Sequence, residues 1–266
     1  MELITIILSS LLGILSPAGF VVDRVAANAI RNQLDGAETL AVRIDNAPNY
    51  RVLQGKAERV RIAGRGLYPL PDVRIAALEV ETDPIAIDPS SVQRGHPKLE
   101  QPLQAGVKVV LNQNDINRAL QSETIAKRFR NLSLDALGGA PAQQLQRYDF
   151  VNPHVEFLGN NRLRFQVTLQ GQRQSANQVQ ITAESGLEII AGHQLQLVDP
   201  MIRVNDRPLP AELITLLTGG ISQRLDLANL DASGITARVL KLEMDGDTLT
   251  LAAFVRVDPT FTASGK

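Results

Sequence analysis

From Arg162 to Gln170 polar and apolar residues alternate without a break. Leu163, Phe165, Val167 and Leu169 fall on one side, and Arg162, Arg164, Gln166 and Thr168 on the other. Only an extended chain turns its side chains over at every step, so this stretch predicts a strand with one dry face and one wet face. The same period runs through Ala105, Val107, Val109 and Leu111, through Val179, Ile181 and Ala183, and through Leu249, Leu251, Ala253, Val255 and Val257. Parallel strands buried on both faces read as continuous apolar runs, so the alternation points to antiparallel sheet. At Val73, Ile75 and Ala77 the phase hands over to Leu78 and Val80, which predicts a β-bulge or bend at Ala76 and Ala77.

Three segments share the form strand, short turn, strand: HVEFLGNNRLRFQVTL from His154, LEIIAGHQLQLV from Leu187 and LKLEMDGDTLTLAAFV from Leu240. Gly159-Asn160-Asn161 and Asp245-Gly246-Asp247 supply residues that tolerate positive φ, so each segment reads as a hairpin. Whether the three are repeats or only alike as hairpins stays open. Two helical patterns interrupt the strands. One runs from Asn114 to Phe129 on Ile116, Ala119, Leu120, Ile125, Ala126 and Phe129, with Ser122 placed to start a second turn of chain. The other lies between Pro210 and Leu225, where Leu213, Ile214, Leu216, Leu217 and Ile221 cover more than one narrow stripe. Its Gly219-Gly220 pair, at about 1 kcal/mol per glycine relative to alanine, predicts a close neighbour or a break.

Leu3 to Val22 carries no charge and is long enough to cross a hydrocarbon core. Serines, glycines and Pro17 dilute it, and Met1-Glu2 in front lacks the basic residues of a conventional signal peptide. An apolar helix lying on a membrane or over a groove, a true anchor and a divergent export signal all fit. After Pro17, Phe20 to Leu34 reads as an amphipathic helix with Val22, Val25, Ala26, Ala29, Ile30 and Leu34 on its buried face. The expected organisation is a helical segment over 1–35 followed by one β-rich domain over 36–266.

The chain has 266 residues, no cysteine, no tryptophan, 4% aromatics and a formal net charge of -1. That balance argues against nucleic acid as a partner, which calls for a basic surface with stacking aromatics. Thiolate nucleophiles and thiolate metal sites are excluded outright. His96, His154 and His193 stand in unrelated contexts, and no nucleophile elbow, phosphate loop or dinucleotide fingerprint is present. Glu79, Glu81 and Asp83 occupy alternate strand positions and read as a solvated face, while Asp245 and Asp247 read as turn residues. The expectation is therefore a protein without catalytic residues, cofactor or metal.

The most suggestive cluster is basic. Arg51, Lys56, Arg59, Arg61 and Arg65 face the single acid Glu58, and a strand would put Arg59, Arg61 and Arg65 opposite Val60 and Ile62. Guanidinium forks match phosphate oxygens. GLYPLP follows, offering Leu67, Tyr68 and Leu70 in a proline-framed turn. The stretch serves either as a contact for an anionic head group or membrane surface, through Arg59, Arg61, Arg65, Leu67 and Tyr68, or as an ordinary solvated strand with its loop tucked into the core.

LQGKAERVRIAGRGLYPLPDVRIAALEVETDPI (Leu53 to Ile85), NQNDINRAL (Asn112 to Leu120), NRLRFQVTL (Asn161 to Leu169) and SGITARVLKLEMDGDTLTLAAFVRV (Ser233 to Val257) resemble the bacterial LmeA-like phospholipid-binding family, common in cyanobacteria. The resemblance covers nearly the whole chain and rests on dispersed patterns. It implies an α+β, β-rich fold related to tubular lipid-binding proteins, a long curved antiparallel sheet wrapped around one or two helices with an apolar groove between. It also implies phospholipid as partner and an envelope location, on the periplasmic side or at a thylakoid. In that picture Ile116, Leu120, Ile125, Phe129, Leu213, Leu217 and Ile221 line the groove for lipid tails. The competing expectation is a structural or assembly factor that uses the same sheet as a protein-binding surface.

Overall fold

The computed structural model describes residues 22–45, 55–88, 90–91, 98–123, 125, 148–171 and 178–259. Packing divides the chain into two compact units, one of Met1–Val110, Leu227–Lys241 and Leu251–Lys266, the other of Leu111–Asp226 and Leu242–Thr250.

The first element is a helix, α1 (Val22–Arg31). Its Ala26 and Ile30, one turn apart, are 0% and 3% exposed, as the amphipathic pattern predicts. Asp23 in its first turn accepts a hydrogen bond at Oδ1 from the Ile44 amide, 3.0 Å away. Ile44 lies on β1 (Gly36–Asp45), the strand against which α1 packs. The apolar run ahead of α1 lies outside the described residues. Among those described, no helix is long and apolar enough to cross a membrane.

The strands are antiparallel wherever their pairing is defined, and the protein is a β-rich α+β fold with few helices. Among the described residues these strands are hydrogen-bonded into three sheets. Six strands pair in the order β1, β3 (Arg59–Leu70), β4 (Val73–Thr82), β6 (Leu103–Asn112), β13 (Thr248–Val257) and β12 (Ile235–Asp245). Five more form a meander of β7 (Tyr148–Gly159), β8 (Arg162–Gly171), β9 (Gln178–Ile190), β10 (Gln194–Val204) and β11 (Arg207–Pro208). A two-stranded ribbon joins β2 (Lys56–Ala57) to β5 (Ile85–Ala86). The three expected hairpins are present, turning at Gly159 to Asn161, at Ala191-Gly192 and at Gly246, all with positive φ.

The phase slip in β4 is real, but no bulge produces it. Pairing with β3 runs in constant register from Arg61↔Glu81 to Leu67↔Ile75, and the irregularity comes only between Leu67 and Leu70. Instead β3 slips as well. Gly66 takes φ +55, and the next residue, Leu67, swings onto the face of Gly64, whose absent Cβ would lie 2.7 Å from a Leu67 methyl. Leu67, Ile75 and Leu78 are thereby all buried, at 1%, 4% and 3% exposure. The expected proline-framed turn at GLYPLP is corrected accordingly: Gly66 to Leu70 is strand, and only Pro71-Asp72 turns.

Two further helices belong to the second unit. The helix α2 (Gln113–Gln121) stops where the sequence places a new start. Ser122 leaves helical geometry at ψ 147, and its Oγ accepts a 3.3 Å hydrogen bond from the Ile125 amide, as an N-cap does. The other, α3 (Ala211–Arg224), packs on β10 and runs through Gly219-Gly220 without a break. A Cβ on Gly219 would meet nothing within 4 Å, so neither a break nor a close neighbour accounts for that residue.

The units differ in how their interiors are closed. Both contain nearly equal numbers of described residues, yet among the described residues only four of the 24 buried hydrophobic side chains, Leu120, Val167, Leu169 and Met244, belong to the second. Val60, Ile62, Leu78 and Val80 of the first unit are at most 4% exposed. At about 1.5–3 kcal/mol for each large aliphatic side chain fully removed from water, most of the hydrophobic stabilisation from the described residues resides there.

Candidate functional site

The five-stranded sheet sorts its side chains by polarity across the strands, because constant register keeps like positions in rows. Val155, Phe165, Ala183 and Ile202 form one row through β7, β8, β9 and β10. Val167, Ile181 and Val204 form the next, and Leu187–Leu197 and Ile189–Leu195 continue the face along β9 and β10. Apart from Val167, all of these side chains are only half-buried. Among the described residues a wide aliphatic and aromatic surface is thus assembled from half-buried side chains.

The opposite face is ionic. Arg164 donates from Nη1 to Glu156 at 2.7 Å and from Nε to Glu184 at 2.8 Å, tying three strands in one row. The Glu184 carboxylate, with Glu156 on the other side, pushes the Arg164 guanidinium above its already high range against the opposing effect of burial.

The edge of this sheet is finished by α2. The Asn117 carboxamide accepts from the Val155 amide at 2.7 Å and donates to the Val155 carbonyl at 2.9 Å. Gln113 Oε1 accepts from the Phe157 amide at 2.6 Å. These side chains do for β7 what a further strand would, and remove an edge open to pairing. Asn161 repeats the device within the same unit: its Oδ1 accepts from the Met244 amide at 2.8 Å, and its Nδ2 donates to the Leu242 carbonyl at 3.3 Å.

Of the tail-lining residues expected on the helices, Leu120 is buried at 8% exposure, while Ile116, Ile125 and Leu217 are half-buried. Leu213 and Ile221 are 47% and 40% exposed. Phe129 lies outside the described residues.

The basic stretch is a strand with the predicted facing, Val60 and Ile62 buried and Arg59 and Arg65 exposed. Neighbouring strands, however, bring acids to it. Asp45 of β1 receives Arg43 Nε on Oδ1 at 2.7 Å and Arg61 Nη2 on Oδ2 at 2.6 Å. The hydrogen bond from Arg43, aided by the charges of Arg61 and Arg59, holds the Asp45 carboxyl below the usual range, though burial opposes it. Arg59 pairs with Glu81 of β4 at 3.2 Å, and Lys108 with Glu79 at 3.7 Å. Arg65 alone of the three expected phosphate ligands has no ion pair among the described residues. It borders a shallow depression of about 250 Å³ with Thr39, Ala41, Ala63, Ala77 and Glu79. Leu67 is corrected: its side chain is in the core and presents nothing to a surface. Tyr68 is half-buried. Among the described residues no three carboxylate or imidazole groups are placed to hold a metal ion.

A family model for LmeA-like phospholipid-binding proteins matches residues 15–254. The chain belongs to the LmeA-like phospholipid-binding family. No curated protein and no solved structure matches it. The family's name describes phospholipid binding. The strands that build this face were each visible in the sequence. Their summation into one surface was not, since alternation says nothing about which strands are neighbours.

Proposed function

We propose that this LmeA-like protein binds phospholipid without catalysing any change in it, and that the acyl chains lie against the apolar face of the β7 to β10 sheet. The observation that carries the reading is the half-covered state of that face, set beside the closed interior of the first unit. Acyl chains gain roughly 0.8 kcal/mol per buried methylene, and aliphatic rows such as Val167, Ile181 and Val204 suit them. Tail contact thus shifts from the helices to the sheet, with Leu120, Ile116 and Leu217 at most in supporting positions. A curved sheet enclosing a groove is the form this binding would take. In the first unit, contact with an anionic membrane surface narrows to Arg65, since Arg59 and Arg61 are already engaged by Glu81 and Asp45. The protein would act at a membrane periphery of the cell envelope.

Native mass spectrometry of delipidated protein, before and after incubation with phospholipid vesicles, tests the reading. The expected result is a phospholipid adduct that a Phe165→Glu substitution on the apolar face diminishes. Absence of any adduct from wild-type protein that has stayed folded sinks it.

A further inference from the structure

A helix that is apolar around much of its circumference is normally enclosed by protein, and α3 is not. Leu213, Leu217 and Ile221 follow one another at four-residue spacing, and Leu225 continues beyond the last turn. Leu213, Ile221 and Leu225 are 47%, 40% and 46% exposed. From Leu213 to Gln223 the helix carries no charge at all. Both of its threonine hydroxyls bond back to the helix: Thr215 Oγ1 donates to the Ala211 carbonyl at 3.0 Å and Thr218 Oγ1 to the Ile214 carbonyl at 2.9 Å. Gly219 faces open space and adds no polar group of its own.

We infer that α3 is the face by which this protein seats itself on a phospholipid bilayer, by shallow insertion of Leu213, Ile221 and Leu225 among the lipid chains. The inference rests on the phospholipid-binding reading above. A bilayer is the occupant because α3 packs directly on β10, a strand that supplies Leu195, Leu197, Ile202 and Val204 to the proposed acyl-chain face. A lipid leaving the membrane beside α3 meets apolar surface belonging to the same packing unit. The missing charges set the character of the contact. Insertion driven by apolar burial takes neutral and anionic surfaces alike and withstands salt, unlike a basic patch.

The absence of cysteine makes the test direct. Ile221→Cys and, separately, Leu213→Cys are labelled in the full chain with an environment-sensitive fluorophore. Leu240→Cys, 73% exposed and in the other unit, is the control. Vesicles of phosphatidylcholine alone should blue-shift and brighten both α3 probes and leave the control unchanged. The response should survive salt of about 0.5 M, where screening reduces charge effects to a few ångströms. Lipid-borne quenchers within the bilayer should quench the α3 probes. A silent probe on protein that still forms the phospholipid adduct overturns bilayer seating and leaves lipid binding intact, while a silent probe without an adduct removes both. A blue shift that grows with protein concentration in the absence of vesicles assigns the face to a second copy. A probe already blue-shifted at high dilution, and unmoved by vesicles, assigns it to the apolar 3–22 segment of this chain. Either result overturns the inference.

Discussion

Asn117 and Val155 are joined by two hydrogen bonds, one to each backbone polar group of Val155, at 2.7 and 2.9 Å. A side chain on a helix thus completes the ladder of an edge strand. Asn117 itself is only 8% exposed, so water cannot readily take its place.

Replacing Asn117 by Leu should cost about 1–3 kcal/mol, because both Val155 groups lose their partner where solvent is scarce. Urea denaturation would measure the loss. Hydrogen exchange should quicken first at the Val155 and Phe157 amides; unchanged protection there would show that the contact does not hold the edge.

Asp45 has a depressed pKa in the folded state, so its stabilising contribution is fully present above the unfolded carboxylate value, roughly 3.9. It is lost as pH falls through the lower folded value. Melting curves of wild-type and Asp45→Asn protein should therefore be separated at neutral pH and converge below about pH 4. A constant gap across that window would exclude ionisation as its source.

Arg65→Ala should weaken binding to anionic vesicles at low salt by about 1 kcal/mol, roughly fivefold. Arg59→Ala and Arg61→Ala should do less, since each removes charge already balanced by an acid. Co-sedimentation across a salt series decides this, and equal losses at all three positions would refute the special standing of Arg65.

Leu67→Ala should destabilise the protein by about 2–5 kcal/mol, because Leu67 is 1% exposed. Vesicle affinity per folded molecule should not change. A loss of affinity at full stability would return Leu67 to the surface role that its burial denies.

Gly66→Ala places a side chain at φ +55, against the Glu38 carboxylate. That carboxylate holds Arg74 through two hydrogen bonds of 3.0 and 3.1 Å. A cost above 1 kcal/mol is expected from backbone strain alone, on the order of 1–2 kcal/mol, with the Glu38–Arg74 pair displaced besides. Thermal melts of Gly66→Ala beside Glu38→Ala separate the two contributions.

Much of the local structure was legible in the residues. Alternation located the strands, positive-φ residues located the hairpins, Ala26 and Ile30 marked the inner face of α1, and Ser122 marked a helix boundary. What escaped was long-range. The acids that neutralise Arg59 and Arg61 come from Glu81 and Asp45 on neighbouring strands, whereas the linear sequence shows only Glu58 nearby. Strand pairing also hides the apolar sheet face from the sequence: a helix displays its apolar face within a few turns, while the sheet face is pooled from four strands. Leu67 lies in the core because the left-handed Gly66 before it reverses its side, onto the face of Gly64.

That reversal has an evolutionary corollary. Since β3 and β4 change phase at the same rungs, neither strand can gain or lose a residue there without its partner; a single deletion on either side would turn Leu67 or Ile75 outward and leave a hole beneath the other. The pair can drift in side chain, but only together in length.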